Sequence, residues 1–224
     1  MAGMPNGAGK TTCIDALTGF QAPSRGQVHF AGSAVTDLPP HQRARRGFVR
    51  TFQSLDLYED LTVRQNLAVG ASTPTWRESI ADAIRPRRRD DSAVDEALDL
   101  VGIAALADRR PPDLPNGQRH LVALGRALVS RPTLVLLDEP AAGLDDQESA
   151  ALGDLLRHLP RRGTTVLLVD HDMSLVLGVC DRVHVLDVGR RIASGTPAEV
   201  RTDPAVVAAY LGTGDPPERL GEEP

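Results

Sequence analysis

Leu134-Val135-Leu136-Leu137-Asp138-Glu139 reads as four apolar residues that end in two carboxylates. A run this short and this apolar, preceded by Thr133, is a strand buried on both faces, as in parallel sheets. Open α/β sheets bind ligands beyond the carboxyl ends of their strands, so Asp138 and Glu139 emerge where chemistry is expected. Working outward, Thr164 to Asp170 and Arg182 to Asp187 read as two more strands. Between them fall a helix from about Gln147 to Leu159, ended by Pro160 and Gly163, and a short one from Met173 to Val179. Strands that alternate with helices imply crossover connections and a mostly parallel central sheet, the α/β class.

Upstream the period changes. Val94, Ala97, Leu98 and Val101 share one helical face, Leu121, Leu124 and Leu128 another, and no convincing strand pattern occurs between Leu57 and Ser130. This predicts a helical subdomain, residues 57–130, inserted into a core made of residues 1–56 and 131–212. The tail, residues 213–224, is rich in Gly, Pro and Glu and is predicted to be disordered.

Asn6-Gly7-Ala8-Gly9-Lys10-Thr11-Thr12 contains the only lysine of the chain, among 25 basic residues. Arginine is a planar fork and lysine a compact point charge, so one retained lysine points to a role that arginine does not fill. In the phosphate-binding pattern G-x-x-x-x-G-K-[ST], backbone N–H groups cradle phosphates, the lysine reaches the outer phosphates and the hydroxyl holds Mg²⁺. Gly9, Lys10 and Thr11 fit the pattern, but its first glycine falls on Met4, one residue after Gly3. At Asp138 and Glu139 the complementary chemistry is available. The aspartate supports Mg²⁺ through its water shell, and the glutamate polarises a water for attack on phosphorus.

Composition narrows the class. At 224 residues and 41% hydrophobic the chain can bury one sizeable core. It has no run of 18 apolar residues and no secretory leader pattern, which predicts a cytoplasmic protein. Cys13 and Cys180 lack metal spacing and are expected in the core. The net charge is -5, and the basic cluster of Arg85 and Arg87 to Arg89 adjoins Asp90 and Asp91, so a solvated face is expected and no nucleic-acid partner. His29, His41, His120, His158 and His184 have no ligand spacing and are expected to be ordinary surface histidines.

Taken in order, these motifs resemble the nucleotide-binding subunits of ABC transporters. Gln53, in Arg50-Thr51-Phe52-Gln53, matches the Q-loop glutamine, which in the family senses Mg²⁺ and the γ-phosphate and touches the membrane partner. Leu114-Pro115-Asn116-Gly117-Gln118 stands at the signature motif, Gly143-Leu144-Asp145 at the D-loop and His171 at the switch histidine, beside Asp138 of Walker B and the catalytic Glu139. The resemblance implies a P-loop NTPase fold of ABC type that takes ATP and Mg²⁺. By the same resemblance Glu139, His171 and Gln53 are catalytic. Asn6, Gly7, Ala8, Gly9, Lys10, Thr11, Thr12, Leu114, Gly117, Gln118 and Asp145 are nucleotide-binding, and Thr11, Gln53 and Asp138 serve the metal.

Several stretches are similar to the ATPases of branched-chain amino-acid importers: Gly47 to Gln53, Glu139-Pro140-Ala141-Ala142-Gly143-Leu144, His171-Asp172-Met173, Gly195-Thr196-Pro197-Ala198-Glu199-Val200 and Ala209-Tyr210-Leu211-Gly212. This implies transmembrane permease partners, a second ABC ATPase and, indirectly, an extracytoplasmic solute-binding protein, with the chain peripheral on the inner face of the cell membrane. Soluble ABC ATPases of DNA repair and translation are the weaker match.

Two departures from the family carry expectations. The chain starts almost at the phosphate loop, so the strand before it and the family's N-terminal antiparallel strands are expected to be missing, leaving a gap in the sheet. In the signature, Pro115 stands for a serine and Asn116 for a glycine, with Asn116 expected to tolerate left-handed backbone. Because the family closes ATP between the phosphate loop of one subunit and the signature of the other, these changes favour a heterodimer with one fully competent site over a homodimer with the change in both. The alternative is a degenerate or truncated subunit that binds permease or nucleotide without efficient turnover.

Overall fold

The computed structural model describes residues 9–51, 55–71, 91–170 and 172–211. Helix α1 (Lys10–Thr18) leads to a short antiparallel pair, β1 (His29–Phe30) and β2 (Ser33–Ala34), then to α2 (Pro40–Arg45) and β3 (Phe48–Arg50). Three helices follow: α3 (Val63–Ala71), α4 (Ser92–Leu100) and α5 (Asn116–Leu128). The remainder alternates β4 (Leu134–Asp138), α6 (Asp146–His158), β5 (Thr165–Val169) and α7 (Met173–Val179). A hairpin of β6 (Val183–Asp187) and β7 (Arg190–Gly195) precedes α8 (Pro197–Thr202) and α9 (Pro204–Leu211).

Strands β3, β4 and β5 form a parallel sheet with β4 in the middle, Asp138 paired with Val169 and Leu136 with Arg50. Successive side chains of a strand point to opposite faces, and here the two faces meet different layers. Leu136 and Val169 pack with Ile14 of α1 and Phe48, with Leu134, Leu167 and Phe30 at the edge. Val135, Leu137 and Leu168 join the larger core built with α3, α4, α5 and α6. Val94, Ala97, Leu98 and Val101 all turn into that core, as the helical period of α4 requires, and Leu124 and Leu128 do the same from α5. Burying each such side chain contributes about 1.5–3 kcal/mol.

Helix α1 is also fastened at its other end. Arg43, 1% exposed, donates Nη1 to the carbonyls of Ala16 (2.9 Å) and Leu17 (2.5 Å), Nη2 to Thr36 (2.7 Å) and Nε to Leu38 (2.8 Å). These acceptors include carbonyls that the last turn of a helix leaves without an intrahelical partner.

The structure corrects several sequence expectations. Strand β3 lies inside a segment read only as a motif, because three residues carry too little period to announce themselves and pairing with β4 supplies the strand. Strand β6, read as a third parallel strand, pairs antiparallel with β7. Val188 and Gly189 both take positive φ (43° and 74°), the tight turn that reverses a hairpin, so no crossover follows β6. Cys13 is exposed and Cys180 half-buried, not core, since the buried side of α1 is occupied by Ile14 and Thr18. The arginine cluster at 85–89 and the tail after Gly212 lie outside the described residues.

An apolar groove of about 910 Å³ runs between β5 and the hairpin, walled by Val166, Leu168, His184, Leu186, Leu17 and Leu156. Thr165 donates its N–H to Thr133 and Val169 receives a bond from Glu139, so the odd residues of β5 face β4. The amides of Val166 and Leu168 therefore face the groove, with no strand paired on that side among the described residues. In native-state hydrogen exchange, Val166 and Leu168 are expected to exchange at least tenfold faster than Leu167 and Val169. Equal protection would show that the groove edge of β5 is paired in solution.

Candidate functional site

Gly9 opens α1 in left-handed backbone, φ +80°, and a Cβ there would lie 3.2 Å from Cα of Gly189 in the hairpin turn. Conformation and close approach both demand glycine. No side chain among the described residues caps α1, and its first turn holds no acid. The open N–H groups and the positive end of the helix dipole thus face the side where Thr11 and Thr12 are exposed and Lys10 is half-buried. Such a terminus suits an anionic group. Asn6, Gly7, Ala8 and Met4 lie outside the described residues, as do Gln53 and His171.

At the carboxyl end of β4, alternation places Asp138 on the α1 side of the sheet. Its Oδ2 accepts from Arg50 Nη2 at 2.9 Å, and Arg50 Nη1 donates to Asp15 of α1 at 2.6 Å. Glu139 follows in left-handed backbone, φ +49°, unusual for a residue with a side chain and worth about 1–2 kcal/mol of strain. The conformation is held from both sides: its N–H donates to the Val169 carbonyl at 2.6 Å, and its carbonyl accepts from Ala142 N at 3.1 Å.

Asp170, 0% exposed, completes the corner. One carboxylate oxygen accepts from Ala141 N at 3.2 Å and the other from Asp172 N at 2.9 Å. The turn after Glu139 is thereby tied to the end of β5 and to the start of α7. Sequence reading passed over Asp170, although a signal existed: it ends a second buried strand as Asp138 ends the first. His120 was also missed. It is half-buried, lines a small cavity with Thr51, Asp138, Glu139 and Pro140, and is not a surface histidine. Burial lowers its pKa, opposed by a hydrogen bond with the Pro140 backbone and by nearby Glu148. It reaches this place because α5, on which it rides, packs against the core face of β4.

The region Leu114 to Gln118 departs from expectation. Leu114 is 8% exposed, Pro115 is the N-cap of α5, and Asn116 is its first helical residue, not a left-handed one. Asn116 Nδ2 donates to the Gly143 carbonyl at 3.1 Å, so a side chain in this position serves to join the two loops. Asp145 caps α6: its Oδ1 accepts from Glu148 N at 2.8 Å while Glu148 Oε2 accepts from Asp145 N at 3.2 Å. Gly117 is buried against this capping box, and a Cβ there would fall 2.1 Å from Glu148 Oε1. Gln118 is half-buried beside it. The structure thus joins Leu114–Gln118 to Gly143–Asp145, and Asp138 and Glu139 to α1 and to Asp170.

Comparison with known proteins points to one family. A family model described as "ABC transporter" matches residues 3–142, and one described as "Branched-chain amino acid ATP-binding cassette transporter" matches residues 190–216. The chain is 39% identical over 215 residues to the high-affinity branched-chain amino acid transport ATP-binding protein LivG of Salmonella typhimurium, spanning 93% of this chain and 84% of LivG. It is 38% identical over 215 residues to BraF of Pseudomonas aeruginosa, with the same coverage. Among solved structures, an ATP-binding cassette of an ABC transporter in its ADP conformation superposes with a TM-score of 0.79 at 30% identity, covering 93% of this chain and 85% of that one.

The contact between Gly117 and the capping box can be measured. Gly117→Ala should displace Glu148 and lower Tm by about 2–4 °C, the loss of one cap interaction of about 1 kcal/mol in a domain of this size. In a Glu148→Ala background the same substitution should cost nothing further, because its clash partner is gone. Additive Tm losses would show that Gly117 and Glu148 are not in contact.

Proposed function

We propose, from the premise that this chain belongs to the ABC transporter family as an ATP-binding cassette, that it hydrolyses Mg-ATP to drive import of branched-chain amino acids or related amides. Cassettes of this family are ATPases coupled to transport. The observation that carries the catalytic reading is the corner at the carboxyl edge of the sheet, where Asp138, strained Glu139 and buried Asp170 converge beside α1. The solute class rests on the second family match, over β7 to α9, and on the names of LivG and BraF.

In this reading the N–H groups of Gly9 to Thr12 and the ammonium of Lys10, together with Asn6, Gly7 and Ala8, receive the phosphates. The oxygen donors Thr11 and Asp138 are of the hard kind that Mg²⁺ prefers, and with Gln53 they would hold it. Bound there, the ion would neutralise charge on the phosphates. Glu139 polarises the attacking water, and His171 supports the outer phosphate and that water. Leu114, Gly117, Gln118 and Asp145 would face nucleotide across a subunit interface.

Among the described residues no helix is long and apolar enough to cross a membrane. From the family match, the cassette would work on the inner membrane face, bound to transmembrane permease subunits that receive solute from an extracytoplasmic binding protein. Pro115 offers neither hydroxyl nor N–H to a facing nucleotide, which favours pairing with a second ABC ATPase whose signature is complete.

Two measurements test this. Glu139→Gln should lower ATP hydrolysis by at least about 100-fold while leaving ATP affinity intact, whereas Lys10→Ala should weaken ATP binding itself. Turnover unaffected by Glu139→Gln removes Glu139 as the base. The purified chain alone should hydrolyse ATP slowly, and Pro115→Ser should raise that rate; fast cooperative turnover by the wild-type chain alone would exclude the need for a different partner.

A further inference from the structure

Arg50 links the two halves of the site, yet none of the roles above uses it. Its side chain is 9% exposed. Nη1 donates to Asp15 Oδ1 at 2.6 Å and to Thr18 Oγ1 at 3.4 Å, and Nη2 to Asp138 Oδ2 at 2.9 Å. Gly19, which closes α1 in left-handed backbone, sends Phe20 back so that its ring centre lies 5.7 Å from the guanidinium carbon. One planar group thus spans from the helix that begins at Lys10 to the carboxylate that ends β4. A rigid fork can hold two carboxylates at once in fixed directions, which a point-like ammonium does not do.

We propose that Arg50 is a positioning residue for ATP hydrolysis. By gripping Asp138 and Asp15 together, it sets the direction in which Asp138 presents its carboxylate to a magnesium-nucleotide, and fixes that carboxylate relative to Lys10. The proposal rests on the nucleotide reading given above. Stability alone is a poor reason for the arrangement. Taking a guanidinium and two carboxylates largely out of water costs much of what their attraction returns, and apolar contacts such as Ile14 with Leu136 already hold α1 on the sheet. What the second arm adds is direction, because Asp138 is only 15% exposed and its side chain is aimed by the bond it accepts.

The reading that separates positioning from a simple clamp is the gain in ATP affinity that magnesium confers. Calorimetric titration of the full chain with ATP in EDTA, and then with Mg-ATP, gives that ratio directly. Arg50→Met should shrink the ratio by about tenfold, the order of one orienting charge-assisted bond. Arg50→Lys should fall between, and Asp15→Asn should shift the ratio in the same direction by less, since it leaves the Asp138 arm in place. A clamp without a positioning role would lower Tm or weaken both titrations by the same factor, and an unchanged ratio in these variants overturns the proposal. Should Arg50→Met not fold, Arg50→Lys and Asp15→Asn carry the same measurement. A wild-type chain whose ATP affinity is indifferent to magnesium would overturn the nucleotide reading and this proposal with it.

Discussion

The register of β4 is the constraint on which the other layers depend. Its residues alternate between two separate cores, Leu134 and Leu136 toward α1, Val135 and Leu137 toward the helical layer. A slip of one residue against β3 or β5 would exchange the two sets and drive Asp138 into the apolar side. The same alternation that buries the leucines therefore selects the face on which Asp138 emerges. Arg50 reaches it because β3 is paired so that Arg50 stands opposite Leu136, two residues before the strand ends. Burial and charge placement follow from one periodicity, and neither is adjustable without the other.

Beyond the strand, the chain turns in a way that regular structure does not favour. Glu139 sits at positive φ although a glycine would take that conformation at no steric cost. Strain of this kind persists only where the surroundings over-determine it, and here Val169, Ala142 and Asp170 fix the turn from three sides. A glycine would relax the backbone and remove the carboxylate. The strain is therefore what a carboxylate at this corner costs the backbone. Asp170 belongs to the same logic, since its two oxygens spend themselves on the backbone N–H groups of Ala141 and Asp172.

Much of this architecture was legible in the sequence because its elements are long, apolar and bounded by strong punctuation. Strands β4 and β5 and helices α6 and α7 fall within one residue of their expected limits. What was not legible depends on contacts between distant residues. Three residues of β3 become a strand only through pairing with β4, and β6 changes partner because Val188, a β-branched residue, accepts a turn that propensity would refuse it. Nothing in the local sequence marks Arg43 or Arg50 for burial in a chain rich in arginine. Their burial follows from carbonyls and carboxylates supplied by α1 and β4, which no local pattern displays. Of the site, the motifs announced Lys10, Asp138 and Glu139, whereas Asp170 and His120 had to be found by geometry.

The substitutions in the Leu114–Gln118 stretch look more severe in sequence than they are in space. Proline at an N-cap removes no hydrogen bond from the helix ladder, and its carbonyl accepts from Arg119 N at 3.1 Å as any N-cap does. The N–H groups of Asn116, Gly117 and Gln118 still open α5, so the positive end of a 13-residue helix remains. The loss reduces to one hydroxyl and one N–H, against which Asn116 adds a bond to Gly143 that glycine cannot make. On the nucleotide reading, that exchange would give up ligand contact for a tie between two loops of the same chain. Under the subunit arrangement proposed above, such a change would weaken only what this chain offers across the interface, an asymmetry that would matter where the facing subunit is different.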